Sequence, residues 1–375
     1  MANTVKIRKS NIEMLRIIAM LLIVVCHYAT HGIMKNVEVP AACQWQVDVL
    51  SLGGGIGVDV FVLISGFFMV NSSISGKKIL RLWVQIISFV LGFYILFRLF
   101  PQEGIATHVG ARAWLYECLP VLTGQYWFIS TYVLLMLLSP FLNRLLHQLP
   151  RMQVRWAIIV LGLFATVSPC LPYNAYSNAG NLGLFILLYT IAGYIRLYAK
   201  APEGRSLRYL ACAATGILVS VAVIVVTEKY GGNNAQWFRL LFTAKEGFYL
   251  MAISLFLFYG FWGLRMPSLQ WVNTVAACTF GVYLIHDNPF VRPYLWKELL
   301  HDYAMPGNGV FFMHCIVSVL AIYTVCTLIA LAWKWTVERC YIRAVEPRLL
   351  PRLQRLGGRL AGLLEHIFNR YIDRA

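Results

Sequence analysis

Arg16 and His27 stand eleven positions apart in an apolar run without proline or glycine. At about 3.6 residues per turn this is three turns, so both side chains project from nearly one face, separated by about 16 Å along the axis. A planar guanidinium suits an anion, above all a phosphate. An imidazole accepts and returns a proton near neutral pH, as a general base acting on a hydroxyl must. An anion seat at one end and a proton acceptor at the other fit a long donor with a charged head and a reactive tip. Coenzyme A thioesters have that shape.

Few other ionisable residues fall in apolar runs, where they are costly and usually face a cavity. Asp59 follows Gly53-Gly54-Gly55-Ile56-Gly57, and His286, followed by Asp287, comes late in another run. His27, Asp59 and His286 are expected to share one depth, the acid fixing an imidazole tautomer and stabilising the imidazolium. Other readings stand beside these. Arg16 alone also reads as an interfacial anchor, and the glycines as a device for close helix packing. A lone histidine at a helix end is more often interfacial than catalytic, and His31, His108, His147, His301 and His366 are read that way.

The elements that must position these groups follow from composition. The chain has 375 residues, of which 59% are hydrophobic and 13% charged, with a mean hydropathy of +0.66. A soluble domain carries about 25% charged residues. A water-soluble globule, a disordered chain and a fibre are therefore excluded, leaving an all-α polytopic membrane protein. A crossing helix needs about 20 apolar residues. Ten runs qualify, at roughly 11–31, 53–71, 80–100, 125–146, 156–172, 182–199, 208–227, 243–263, 269–287 and 311–334.

The net charge is +16 and the isoelectric point about 9.6. With the N-terminus inside, most of the lysines and arginines fall in alternate, inner segments, as the positive-inside rule requires. The expectation is a multi-pass protein of the cytoplasmic (inner) membrane with both termini cytoplasmic, and no nucleic-acid partner. The nine cysteines show no metal-ligand spacing, so no metal site is expected. Residues 1–343 read as the transmembrane domain. In residues 344–375, Leu349, Leu353, Leu356, Leu360, Leu363 and Ile367 recur at helical steps among Arg348, Arg352, Arg355, Arg359 and Arg370. This reads as a basic amphipathic helix on an anionic lipid surface.

Six segments, in order, carry a resemblance. They are Asn11 to Ala19 with the Arg16–His27 spacing, Gly57 to Phe67, the basic Lys77, Lys78 and Arg81, the aromatic Tyr126-Trp127-Phe128-Ile129, Thr279 to His286, and Val337-Glu338-Arg339. Together they resemble the membrane-bound acyltransferase 3 family, whose members include O-acetyltransferases of bacterial envelope polysaccharides. The pattern departs at Glu13, where an aspartate is common, and at Asp287, where a proline is usual.

The resemblance implies transfer of an acyl group, most often acetyl, from acyl-CoA to a carbohydrate hydroxyl, acetyl-CoA being a substrate rather than a bound cofactor. His27 would be catalytic, with Asp59 and His286 beside it. Arg16, Lys78 and Arg81 would bind the donor. Tyr126, Trp127 and Tyr283 would stack on the sugar. The alternative is a transporter or flippase for a lipid-linked saccharide, which the same buried charges would also serve. The oligomeric state, the sugar and the choice of acetyl over succinyl are not written in the sequence.

Overall fold

The computed structural model describes residues 10–103, 105, 110–170, 180–232, 235–300 and 306–371. His108 and His301, like the basic residues before Ser10, lie outside them, as do the side chains of His366, Ile367 and Arg370. The main helices are α1 (Ser10–His27), α2 (Gln44–Met69), α3 (Gly76–Leu99), α4 (Trp127–Gln148), α5 (Arg151–Gly162), α6 (Gly180–Tyr198), α7 (Ser206–Tyr230), α8 (Phe248–Gly263), α9 (Gln270–Ala276), α10 (Thr279–His286), α11 (Phe311–Trp333) and α12 (Glu346–Tyr371).

Among the described residues, nine helical stretches are long and apolar enough to cross a membrane. The span expected at 269–287 is two shorter helices, α9 and α10, separated by a turn at Ala277–Cys278. A carbonyl freed by such a turn has no water to bond inside a bilayer, so protein must satisfy it. Lys334 Nζ does so, donating to the Ala277 carbonyl at 3.2 Å. Pro140 poses the same problem in α4, because it has no N–H for the Met136 carbonyl. The Ser139 hydroxyl donates to that carbonyl at 2.9 Å.

α1, α2 and α6 form the buried centre, whereas α5 and α7 expose most of their surface. The approach of α1 to α2 depends on missing side chains. A Cβ on Gly54 would lie 2.5 Å from the Cys26 sulfur, and one on Gly57 would lie 2.6 Å from the Ala19 carbonyl oxygen. The inner end of α1, the face at which it begins, is tied by its first two residues. Asn11 Nδ2 donates to the carbonyls of Phe261 and Leu264 at 2.8 and 3.1 Å, where α8 ends with unpaired acceptors. Ser10 Oγ accepts from the Leu269 N–H at 2.8 Å. α1 is thereby fixed at one end by polar caps and in its outer half by backbone proximity.

The tail expected to be helical is α12. Glu346 at its start pairs with Arg81 and Lys77, so the tail is joined to the beginning of α3.

Overpacking a close helix contact typically costs about 1–3 kcal/mol. Gly57→Leu is therefore expected to lower the thermal midpoint of the purified protein in detergent. Gly92→Leu, at an exposed position where an added Cβ meets nothing within 4 Å, is expected to leave it unchanged.

Candidate active site

His27 ends the regular part of α1, and residues Tyr28–Ile33 continue as a π-helical stretch. π turns inside α-helices often mark functional sites. His27 and His31 lie on one side of it, with ring centroids 4.7 Å apart. From the far side α10 delivers His286, whose Nε2 is 3.0 Å from His27 Nδ1. His286 Nδ1 is 2.7 Å from the Val282 carbonyl oxygen.

These two contacts fix the protons. A carbonyl only accepts, so His286 Nδ1 carries hydrogen and donates. In the neutral ring Nε2 is then bare and accepts from His27 Nδ1–H. The remaining nitrogen of His27, Nε2, holds a lone pair. His27 lines a cavity and its side chain retains 12% exposure, so a proton acceptor with its opposite nitrogen anchored is open to a ligand.

Asp287 supplies the negative charge. Its Oδ1 is 3.7 Å from His27 Nδ1 and 3.6 Å from His31 Nε2. Arg292 holds it, with Nε 3.0 Å from the same oxygen and Nη2 donating to the Asp287 carbonyl at 2.9 Å. His27, His31 and Asp287 each offer one ligand atom within 4.8 Å of the others, a spacing a metal ion could bridge. The Arg292 guanidinium already occupies the carboxylate, so a second cation there would meet a fixed positive charge.

The outer cavity, about 620 Å³, is lined by His27, His31, Thr30, Trp127, Lys245 and Tyr283 among others. Arg239 pairs with Asp48 of α2, and these two residues also line it. An inner cavity of about 370 Å³ is lined by Arg16, Gln85, Tyr132, Lys334 and Glu338, and again by Tyr283. The two cavities share Phe128 and Tyr283, whose rings cross edge to face at 5.5 Å. Arg16 thus opens on one cavity and His27 on the other, with an aromatic pair between them.

The other expected site residues separate. Asp59 is not at the depth of the histidines. Gly54 packs against Cys26, beside His27, and Asp59 lies five residues further along α2, about 7 Å deeper. Its Oδ2 accepts from Ser254 of α8 at 3.3 Å, and it lines neither cavity. Arg81 is held by Glu346, Nε to Oε2 at 2.5 Å and Nη2 to Oε1 at 3.1 Å. Lys78 is exposed, its Nζ 3.4 Å from the Ser73 carbonyl. Tyr126 is buried outside the outer cavity, donating to the Leu284 carbonyl at 3.1 Å and accepting from Asn288 at 2.7 Å. It steadies the end of α10. Trp127 faces the outer cavity, with Lys245 over its ring at 5.6 Å. Of the histidines read as interfacial, His147 bonds Asn143 and Asn71 at the end of α4. His31 instead belongs to the site. Its spacing of four from His27 was the signal, since such pairs share a helix face. Arg292 carried no signal.

If Arg81 acts through Glu346, Arg81→Ala combined with Lys77→Ala is expected to free the tail. Tryptic cleavage within residues 348–359 should then be faster than in the unsubstituted protein.

A family described as an acyltransferase domain matches residues 9–337, which include His27, His31, His286, Asp287 and Arg16. No curated protein and no solved structure matches the chain. The family match runs over nearly the whole length of an all-helical membrane protein and leads to one assignment: the chain belongs to the acyltransferase 3 family.

Proposed function

We propose that this membrane acyltransferase moves an acyl group, acetyl in the first instance, from acyl-CoA in the cytoplasm to a hydroxyl of an envelope carbohydrate, with His27 as general base. The observation that supports this most is the pair of cavities, one holding Arg16 and the other His27, meeting at Phe128 and Tyr283. A donor confined to the cytoplasm and an acceptor beyond the membrane need such an arrangement. The inner face is then cytoplasmic, in keeping with the charge bias of the sequence.

The chemistry runs as follows. His27 Nε2 takes the proton of the acceptor hydroxyl as its oxygen attacks the thioester carbonyl carbon. The new C–O bond gives a tetrahedral intermediate, the C–S bond breaks, and the leaving thiolate takes the proton back from Nε2. The charge on His27 between these steps is stabilised by Asp287 at 3.7 Å. His286 holds the ring in the tautomer that leaves Nε2 free. Trp127, at the rim of the outer cavity, offers a flat apolar face to a sugar ring.

The test uses purified protein, acetyl-CoA and envelope glycan, with thiol release and O-acetyl content as readouts. General-base groups contribute about 10²–10⁴-fold. His27→Ala at normal protein level should lose activity on that scale, and retention of full activity would overturn the assignment. Movement of a lipid-linked saccharide without any thiol release would replace it with transport.

A second comparison tests the tautomer. The amide oxygen in His286→Gln can accept from His27 Nδ1, whereas His286→Leu cannot. His286→Gln is expected to retain more kcat than His286→Leu, which should fall by about 10²-fold.

A further inference from the structure

The inner cavity does not end at Arg16. It shares Ala277, Lys334 and Glu338 with a groove of about 450 Å³ between α9 and the segment that follows α11. That groove adds Asn273, Thr274, Trp335 and Arg339. Lys334 stands at the junction, its ammonium on the carbonyl freed by the α9–α10 break. Along the path from groove to inner cavity run Arg339, Lys334 and Arg16, against Glu338 and against Glu13, which pairs with Arg16 at 2.7 Å. The Trp335 side chain is large, apolar and 62% exposed. Of the other cations expected to bind the donor, Arg81 is paired with Glu346, and Lys78 lines neither the groove nor the inner cavity.

Resting on the reading of acyl-CoA as donor, we infer that this groove is the seat of the donor's nucleotide head. Arg339 and Lys334 take phosphate oxygens, and the Trp335 indole stacks on adenine. A guanidinium binds phosphate through a planar fork, and base–aromatic stacking tolerates any approach over the ring face. The pantetheine arm then passes Lys334 into the inner cavity and points its thioester past Arg16 toward Phe128 and Tyr283. The order of contacts matches the order of the donor's parts: purine and phosphates in the groove, flexible arm in the inner cavity, acyl group at the aromatic pair.

The test compares two acetyl donors, acetyl-CoA and S-acetylpantetheine, which lacks the nucleotide. Arg339→Ala, Arg339→Lys and Trp335→Leu are assayed in the full-length purified protein, with equilibrium binding of coenzyme A measured alongside. For Arg339→Ala, the KM for acetyl-CoA and the Kd for coenzyme A should rise about tenfold or more, as expected for loss of a charge-assisted hydrogen bond. The rise should be smaller for Trp335→Leu, and Arg339→Lys should recover part of it. The loss should follow the nucleotide: the ratio of kcat/KM on acetyl-CoA to that on S-acetylpantetheine should fall about tenfold for Arg339→Ala. Unchanged KM and Kd would remove the groove as the nucleotide seat while leaving the acyl-CoA reading intact. Equal losses on both donors would also overturn it, as damage to the fold. If the unsubstituted protein neither binds coenzyme A nor releases thiol from acetyl-CoA, the underlying function falls, and the groove assignment with it.

Discussion

The Val282 carbonyl can only accept a hydrogen bond, and the chemistry of the site follows from that. It requires hydrogen on His286 Nδ1, bares His286 Nε2, and so turns His27 Nδ1 into a donor. The lone pair of His27 is left on the nitrogen that hydrogen-bonds no protein atom among the described residues. This relay holds only while α1 and α10 keep their relative height. Gly54 and Gly57 seat α1 on α2, Asn11 and Ser10 fix its start, and Tyr126 with Asn288 grips the end of α10. Gly281 lets α10 lie close to Ala330 of α11. Much of the packing in the bundle's centre serves one contact of 3.0 Å.

The helix break in front of α10 belongs to the same arrangement. A continuous helix from 270 to 286 would leave Lys334 no freed carbonyl at Ala277 to bind. With the break, a cation is held at the boundary between groove and inner cavity. At the outer end the Asp287 carboxylate lies between the Arg292 guanidinium and the rings of His27 and His31. On the inner side Arg16 is paired with Glu13 at 2.7 Å, which leaves Lys334 and Arg339 beside Glu338.

The Arg16–His27 face was legible because periodicity within one helix needs no tertiary information. The membrane spans were legible from hydropathy for the same reason. The break at Ala277–Cys278 was not, since neither glycine nor proline marks it. Asp59 was placed too near the outer surface because its helix was taken to begin at residue 53. It begins at Gln44, and the extra turns carry Asp59 inward. Arg81 showed as a cation at the right face, but its partner Glu346 lies 265 residues away, and sequence spacing does not reveal which charges are already paired. Asp287 was visible as a departure from the family pattern. Its place beside His27 depends on Arg292 and the turn after α10, which no local periodicity encodes.

The crossed rings of Phe128 and Tyr283 have a consequence for the cell as well as for the reaction. A protein hollowed from both faces is most of the way to being a pore, and a water-filled one would leak ions across its membrane. Apolar constrictions of this kind expel water rather than conduct it. In the proposed reaction the two rings would let an uncharged acyl group be handed across while the membrane remains an insulator.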